Sequence, residues 1–216
     1  MSKVEVVKTK RKVLEKNEEI VKENKNFLKN HGIKAIEFLG GPGSGKTWLI
    51  NVLVKKLKDE YNLAYIGGDI AGQHDAELIS KLDVPAIQIN TGGMCHLQGF
   101  HFRDALKKLN PDENTDLIIV ENVGNLICPF QLKIGSDKRV VLIDPNEGKE
   151  KFEKYPTAFL NSDLIVISKI DLLPALDVTL DEMLEGAEKA NPKLQVVPTS
   201  AKTGEGLEEL INILGL

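Results

Sequence analysis

Two cysteines, one tryptophan, three arginines and no apolar run long enough for a membrane set the first limits on this 216-residue chain. Cys95 and Cys128 are too few to build a disulfide framework, so burial or metal binding in a reducing compartment are their expected fates. A bilayer span needs about 18 successive apolar residues, and the start MSKVEVVKTKRK has no apolar core of a signal peptide. The expectation is a cytoplasmic protein with no membrane partner. Arg11, Arg103 and Arg139 make no basic stripe, and 28 Lys plus Arg against 32 Asp plus Glu leave a net charge of −4. That balance suits a polyphosphate backbone poorly, so nucleic acid is not an expected partner. What is present is ordinary for a globular chain: 42% hydrophobic and 28% charged residues, at a length suited to one compact core.

Residues 1–32 are rich in lysine and glutamate, with apolar pairs at Val13-Leu14, Ile20-Val21 and Phe27-Leu28. The seven-residue spacing predicts an N-terminal amphipathic helix docked on the body along a narrow seam and stopped at Gly32. Residues 33–216 then alternate. Apolar runs at Ala35–Leu39, Ala64–Ile66, Ala86–Ile89, Leu117–Val120, Val140–Ile143, Leu164–Ile167 and Gln195–Val197 are separated by helix-length stretches or loops. This predicts an α/β fold, a mostly parallel sheet of about seven strands with helices on both faces. In such sheets ligands sit at the carboxyl ends of the strands.

After the run AIEFL comes Gly40-Gly41-Pro42-Gly43-Ser44-Gly45-Lys46-Thr47, a match to G-x-x-x-x-G-K-[ST] that leads into the helical stretch Trp48–Lys58. Gly41, Gly43, Ser44 and Gly45 let the backbone N–H groups wrap a phosphate at a helix N-terminus. Lys46 is expected to neutralise the β- and γ-phosphates, and the Thr47 hydroxyl to coordinate Mg²⁺. Further oxygens for Mg²⁺ are expected from Asp69 in IGGD and from Glu121 in ENVG, both at strand ends. Gly124 would bring a backbone N–H to the γ-phosphate. Asp75 stands near a helix start, where it serves the metal, positions the attacking water, or simply favours the helix dipole.

Ser168-Lys169-Ile170-Asp171 and Thr199-Ser200-Ala201-Lys202 follow the last two runs. They resemble the guanine-reading motifs N-K-x-D and S-A-K of GTPases, in the same order. A carboxylate at Asp171 accepts from guanine N1–H and N2–H₂, whereas adenine presents an acceptor at N1. The Lys169 stem would lie over the base, and the Ala201 N–H would donate to guanine O6. Ser168 stands where the pattern has Asn, and a serine is too short to replace every bond of a carboxamide.

Cys95-His96 and Cys128 both fall just past apolar runs, on the sheet edge that carries the nucleotide motifs. Thiolate and imidazole together suit Zn²⁺ or Ni²⁺, although a free cysteine is often simply buried. Three ligands leave a tetrahedron open, to be closed by water or by a second copy of the chain. His74 and His101 are weaker candidates, read as polar surface residues.

With GGPGSGKT, GGD, NTGGMCHL, ENVGNLICP, SKID and TSAK assembled, the chain resembles the HypB family of nickel-insertion GTPases over nearly its whole length. The resemblance implies a P-loop NTPase fold, GTP hydrolysis with Mg²⁺, and homodimerisation with GTP. It also implies Zn²⁺ or Ni²⁺ held by Cys95, His96 and Cys128, a HypA-family nickel chaperone as partner, and delivery of nickel to the large subunit of a [NiFe]-hydrogenase. The N-terminal cysteine motif and histidine-rich tract of some members are not found in this chain, and Gly93-Met94 replaces the more usual Lys-Glu. Alternatives are a urease-type nickel-insertion GTPase, which expects Cys-Pro-His at 95–97, a small-molecule kinase using the same phosphate loop, and a non-enzymatic scaffold.

Overall fold

A computed structural model describes residues 9–111 and 114–216, with side chains from Leu14 onward. Residues 1–8 of the expected N-terminal helix and the Val13 side chain lie outside the described residues.

Every apolar run becomes a strand: β1 (Lys34–Gly40), β2 (Leu63–Asp69), β3 (Ala86–Asn90), β4 (Leu117–Glu121), β5 (Lys138–Ile143), β6 (Leu164–Ile167) and β7 (Gln195–Pro198). Their pairings are all parallel, in the order β3-β2-β4-β1-β5-β6-β7. Double-sided burial explains why the central strands read as unbroken apolar runs. β1 lies in the middle, and the chain winds outward from it in both directions, so the crevice of a switch point opens at its carboxyl end.

Successive residues of a strand point to opposite faces. Ile36, Phe38, Tyr65 and Ile119 therefore join one core layer, under α2 (Lys46–Leu57), α3 (His74–Ser80) and α8 (Leu207–Leu214). Positions Ala35 and Leu39 point the other way, into two separate apolar clusters. One lies under α1 (Thr9–His31) and α4 (Gly99–Leu109), the other under α5 (Glu150–Lys154), α6 (Pro156–Leu160) and α7 (Leu180–Ala190).

The seam of α1 keeps one member of each of two expected apolar pairs, Ile20 and Leu28, and adds two asparagines. Among its described side chains the buried residues are Asn17, Ile20, Asn24 and Leu28, spaced three to four apart along one helix face. Ile20 and Leu28 each contribute roughly 2 kcal/mol by burial, and the two asparagines fix what α1 docks against. Asn24 Nδ2 donates to Gly99 O at 2.8 Å and Ile134 O at 2.7 Å, and Asn17 Oδ1 accepts from Gly99 N at 3.0 Å. Gly99 packs closely there: a Cβ would lie 3.1 Å from Asn17 Oδ1 and 3.2 Å from the Ile20 side chain, so a larger residue needs these side chains to give by a few tenths of an ångström. Among the described residues no helix is long and apolar enough to cross a membrane.

Candidate functional site

The loop from Gly40 to Gly45 joins β1 to α2 and turns through positive φ at Gly43 (77°) and Gly45 (87°), a region open chiefly to glycine. Lys46 is buried, with Nζ donating to Gly40 O and Gly41 O, both at 3.1 Å. Burial lowers its pKa against the raising influence of Glu121, Asp75 and Glu147. Ser44 Oγ is buried with no hydrogen-bond partner among the described residues, which leaves it free for a ligand oxygen.

Residues 117, 119 and 121 of β4 share the face that α2 covers, so Glu121 meets the start of that helix. Thr47 Oγ1 donates to Glu121 Oε1 at 2.7 Å, and Tyr65 OH donates to Oε2 at 2.8 Å. Burial raises the Glu121 pKa, opposed by Lys46 and by the Thr47 bond, and burial together with the Glu121 charge pushes the Tyr65 phenol upward. These hard oxygen donors at the loop exit fit Mg²⁺ in kind. Asp69 behaves differently: its Oδ1 accepts from Ile70 N and its Oδ2 lies against Gly72, so it shapes the loop after β2. Asp75 lies in the first turn of α3, near enough for its charge to act on Lys46, Glu121 and Tyr65. His74 is exposed, while His101 is half-buried and accepts from Gln98 N through Nδ1 at 3.0 Å, a helix cap rather than a surface residue.

Beside the loop lies a cavity of about 320 Å³ lined by Gly45, Trp48, Leu49, Ser168, Lys169, Asp171, Leu172, Thr199, Ala201 and Lys202. Ser200 Oγ donates to Asp171 Oδ1 at 2.6 Å, and Lys202 Nζ stands 3.9 Å from Oδ2. Ser168, in the place of asparagine, donates to Ser44 O at 2.7 Å and also reaches Ile143 O at 3.2 Å. It thus ties the carboxyl end of β6 to the phosphate loop. Lys169 has φ 54° and its stem passes Gly45, while Nζ bonds Gly43 O and the buried Asp144 Oδ2, each at 2.5 Å. Its ammonium is therefore a strut between loop and sheet, a role the motif alone does not reveal.

Cys95 and His96 lie in the turn after β3, closed by Thr91 Oγ1 donating to Met94 O at 2.6 Å. Cys128 begins a 3₁₀ turn, Cys128–Phe130, where Asn125 Oδ1 accepts from Ile127 N at 2.7 Å and Cys128 N at 3.2 Å. The two turns converge, so that one ligand atom from each of Cys95, His96 and Cys128 lies within 4.8 Å of the others. His96 Nδ1 stands 3.6 Å from Cys95 Sγ, while its Nε2 is buried with no hydrogen-bond partner among the described residues. Burial lowers the His96 pKa, which favours the neutral imidazole that binds metal. Both cysteines are free thiols, and the Cys95 pKa is pushed up first by hydrogen bonding with Cys128 and then by burial.

The segment between Glu121 and Cys128 also touches the phosphate loop. Asn125 N donates to Gly40 O at 2.9 Å, and a Cβ on Gly124 would lie 3.1 Å from Pro42 Cα. Behind both turns runs a buried polar network that no sequence motif signals. Glu37, between the two apolar clusters of that face, accepts from Arg139 Nε at 3.0 Å and Asn122 Nδ2 at 2.7 Å. Asn122 Oδ1 in turn accepts from Leu97 N at 2.9 Å, next to His96, and Arg139 Nη2 donates to Pro129 O at 2.6 Å, next to Cys128. Arg139 is thus structural, in keeping with the lack of any motif marking it for catalysis.

Residues 34–198 match the family described as "CobW/HypB/UreG, nucleotide-binding domain". The chain is 40% identical over 214 residues to a probable hydrogenase maturation factor HypB of Methanocaldococcus jannaschii, covering 99% of this chain and 96% of that protein. Among solved structures, HypB from Archaeoglobus fulgidus superposes with a TM-score of 0.87 at 35% identity, over 94% of this chain and 98% of that one. HypB from Helicobacter pylori in complex with nickel superposes at 0.85 and 34% identity, over 92% and 93% of the two chains. The sheet and its helices are thus those of the P-loop NTPase fold.

Proposed function

The chain belongs to the HypB maturation factors of the CobW/HypB/UreG family, and from that premise we propose that it is a GTP-hydrolysing metallochaperone which binds nickel and delivers it for [NiFe]-hydrogenase maturation. One observation carries the reading: the segment that ends at metal-site Cys128 is bonded to the phosphate loop, Asn125 N to Gly40 O. In this reading residues 33–216 are the GTPase body and 1–32 an added helix. The HypA-family chaperone and the hydrogenase large subunit are its partners, and the cytoplasm is its compartment.

Phosphates rest on the N–H groups of Gly41, Gly43, Ser44 and Gly45, with Lys46 neutralising the β- and γ-oxygens. Thr47 and Glu121 would hold Mg²⁺, which supplies charge neutralisation at the phosphates, while Asp69 is engaged in the loop after β2. Asp75 orients the water that attacks the γ-phosphorus as the bond to the β-phosphate oxygen breaks. Asp171 accepts from guanine N1–H and N2–H₂, and the N–H of Ala201 donates to O6. A γ-phosphate contacted by Gly124 draws on the 121–128 segment and moves Cys128, so nucleotide state, dimerisation and the Cys95-His96-Cys128 metal set are linked. Nickel is the cargo, and the same donor set also accepts Zn²⁺.

Phosphate release from GTP and ATP, with and without small-molecule acceptors, tests the reading. Release from GTP alone, independent of acceptor, is expected, and acceptor-dependent transfer from ATP contradicts it. Cys95→Ala is expected to weaken nickel binding at least tenfold, with GTP affinity held within about twofold, because one first-row metal ligand is lost while the phosphate loop is untouched. An unchanged nickel titration refutes the ligand assignment. Tyr65→Phe leaves one buried carboxylate oxygen of Glu121 without its hydroxyl donor. It is expected to raise the Mg²⁺ concentration for half-maximal phosphate release several-fold, with Mg²⁺-free GDP affinity unchanged, a split that simple misfolding does not give.

A further inference from the structure

Trp48 is the chain's one tryptophan and is 65% exposed on the first turn of α2, directly after Thr47. An indole left in water at such a position earns no burial energy, yet this one lines the 320 Å³ cavity together with the Lys169 stem, Leu172, Asp171 and Ala201. Two sorts of group therefore meet there. Asp171, fixed by Ser200 Oγ at 2.6 Å, and the Ala201 backbone suit the hydrogen-bonding edge of a base. Trp48, Leu172 and the Lys169 stem offer apolar surface suited to its flat faces.

We propose that Trp48 packs its indole on the base of the bound nucleotide and sets how tightly it is held, leaving the choice of base to Asp171. This rests on the guanine-nucleotide reading of the cavity. Stacking on an aromatic is tolerant of base identity, because every base has a π-face, whereas a mismatched hydrogen-bonding edge leaves buried polar groups unpaired. Affinity and discrimination are thereby carried by different residues. Because Trp48 stands outside the core, its replacement leaves the fold in place, and because it is the only indole its emission reports on this cavity alone.

The test titrates the full chain and its Trp48→Ala and Trp48→Phe variants with GDP and with ADP, followed by calorimetry and, for the wild type, by tryptophan emission. The expected result is an emission change that saturates with the calorimetric GDP isotherm. Trp48→Ala should bind GDP about tenfold more weakly, about 1.4 kcal/mol, with an unchanged GDP-to-ADP preference, and Trp48→Phe should stay within about threefold of wild type. Wild-type binding of GDP with flat emission, or a Trp48→Ala variant that binds GDP as well as wild type, overturns the role of Trp48 while the guanine reading stands. A wild-type chain that binds ADP in preference to GDP, or binds neither, overturns that reading and the proposal with it.

Discussion

Replacing Lys46 with alanine is expected to lower GTP hydrolysis by at least a hundredfold and to abolish nucleotide-dependent dimerisation. The ammonium is buried between the carbonyls of Gly40 and Gly41 and feels the charges of Glu121, Asp75 and Glu147. It is placed where the β- and γ-phosphates lie in a G-x-x-x-x-G-K-[ST] loop. Without it those carboxylates and the phosphates repel one another, and a loss of about 3 kcal/mol in the transition state corresponds to a hundredfold in rate. Phosphate release, with mass followed by light scattering, checks both effects. Dimerisation persisting at the wild-type nucleotide concentration contradicts the coupling.

The second large effect is expected at Arg139. Its guanidinium is almost wholly buried and bonds Glu37 Oε2 at 3.0 Å, Asn161 O at 3.0 Å and Pro129 O at 2.6 Å. Arg139→Met strands the Glu37 carboxylate inside the sheet, a change that costs about 3–5 kcal/mol. For a chain of this length that lowers the melting temperature by roughly 10 °C. Adding Glu37→Gln removes the stranded charge and should recover part of the loss, which a thermal double-mutant cycle measures. Nickel affinity should fall with Arg139→Met as well, because Pro129 O follows Cys128 and the Glu37–Asn122 arm holds Leu97 beside His96. A variant that melts with the wild type shows that the network does not carry the core.

These two residues show where sequence reading succeeds and where it stops. Lys46 is legible because its partners are local: a strand, a glycine turn and a helix start lie within one short stretch, and the backbone geometry follows from residue type. The seven strands are legible for a similar reason, since burial on both faces forces runs such as LIIV and LIVI. Arg139 is opaque because its partner Glu37 is 102 positions away and sits inside an apolar run, where nothing local distinguishes a paired buried charge from an exposed one. Tyr65 reads as a core aromatic until β2 and β4 pair and bring its hydroxyl to Glu121. Asp144 gives no signal before Lys169 reaches it across β5 and β6. In α1 the apolar spacing finds the face, yet the asparagines that orient it look polar and solvent-facing until Gly99 and Ile134 arrive. The Cys95, His96 and Cys128 set lies between these extremes: the residue types suggest a metal, and only the pairing of β2 with β3 and β4 brings the two turns together.

Nucleotide and metal are expected to act on one another through the segment from Glu121 to Cys128. Equilibrium dialysis of the full chain against Ni²⁺, in parallel with GDP and with a non-hydrolysable GTP analogue and with mass followed by light scattering, tests it most directly. Metal uptake per chain and dimer mass should rise together with the analogue and stay low with GDP. Uptake and mass that are the same with either nucleotide contradict the account, and leave a nucleotide-binding protein whose cysteines are independent of its phosphate loop.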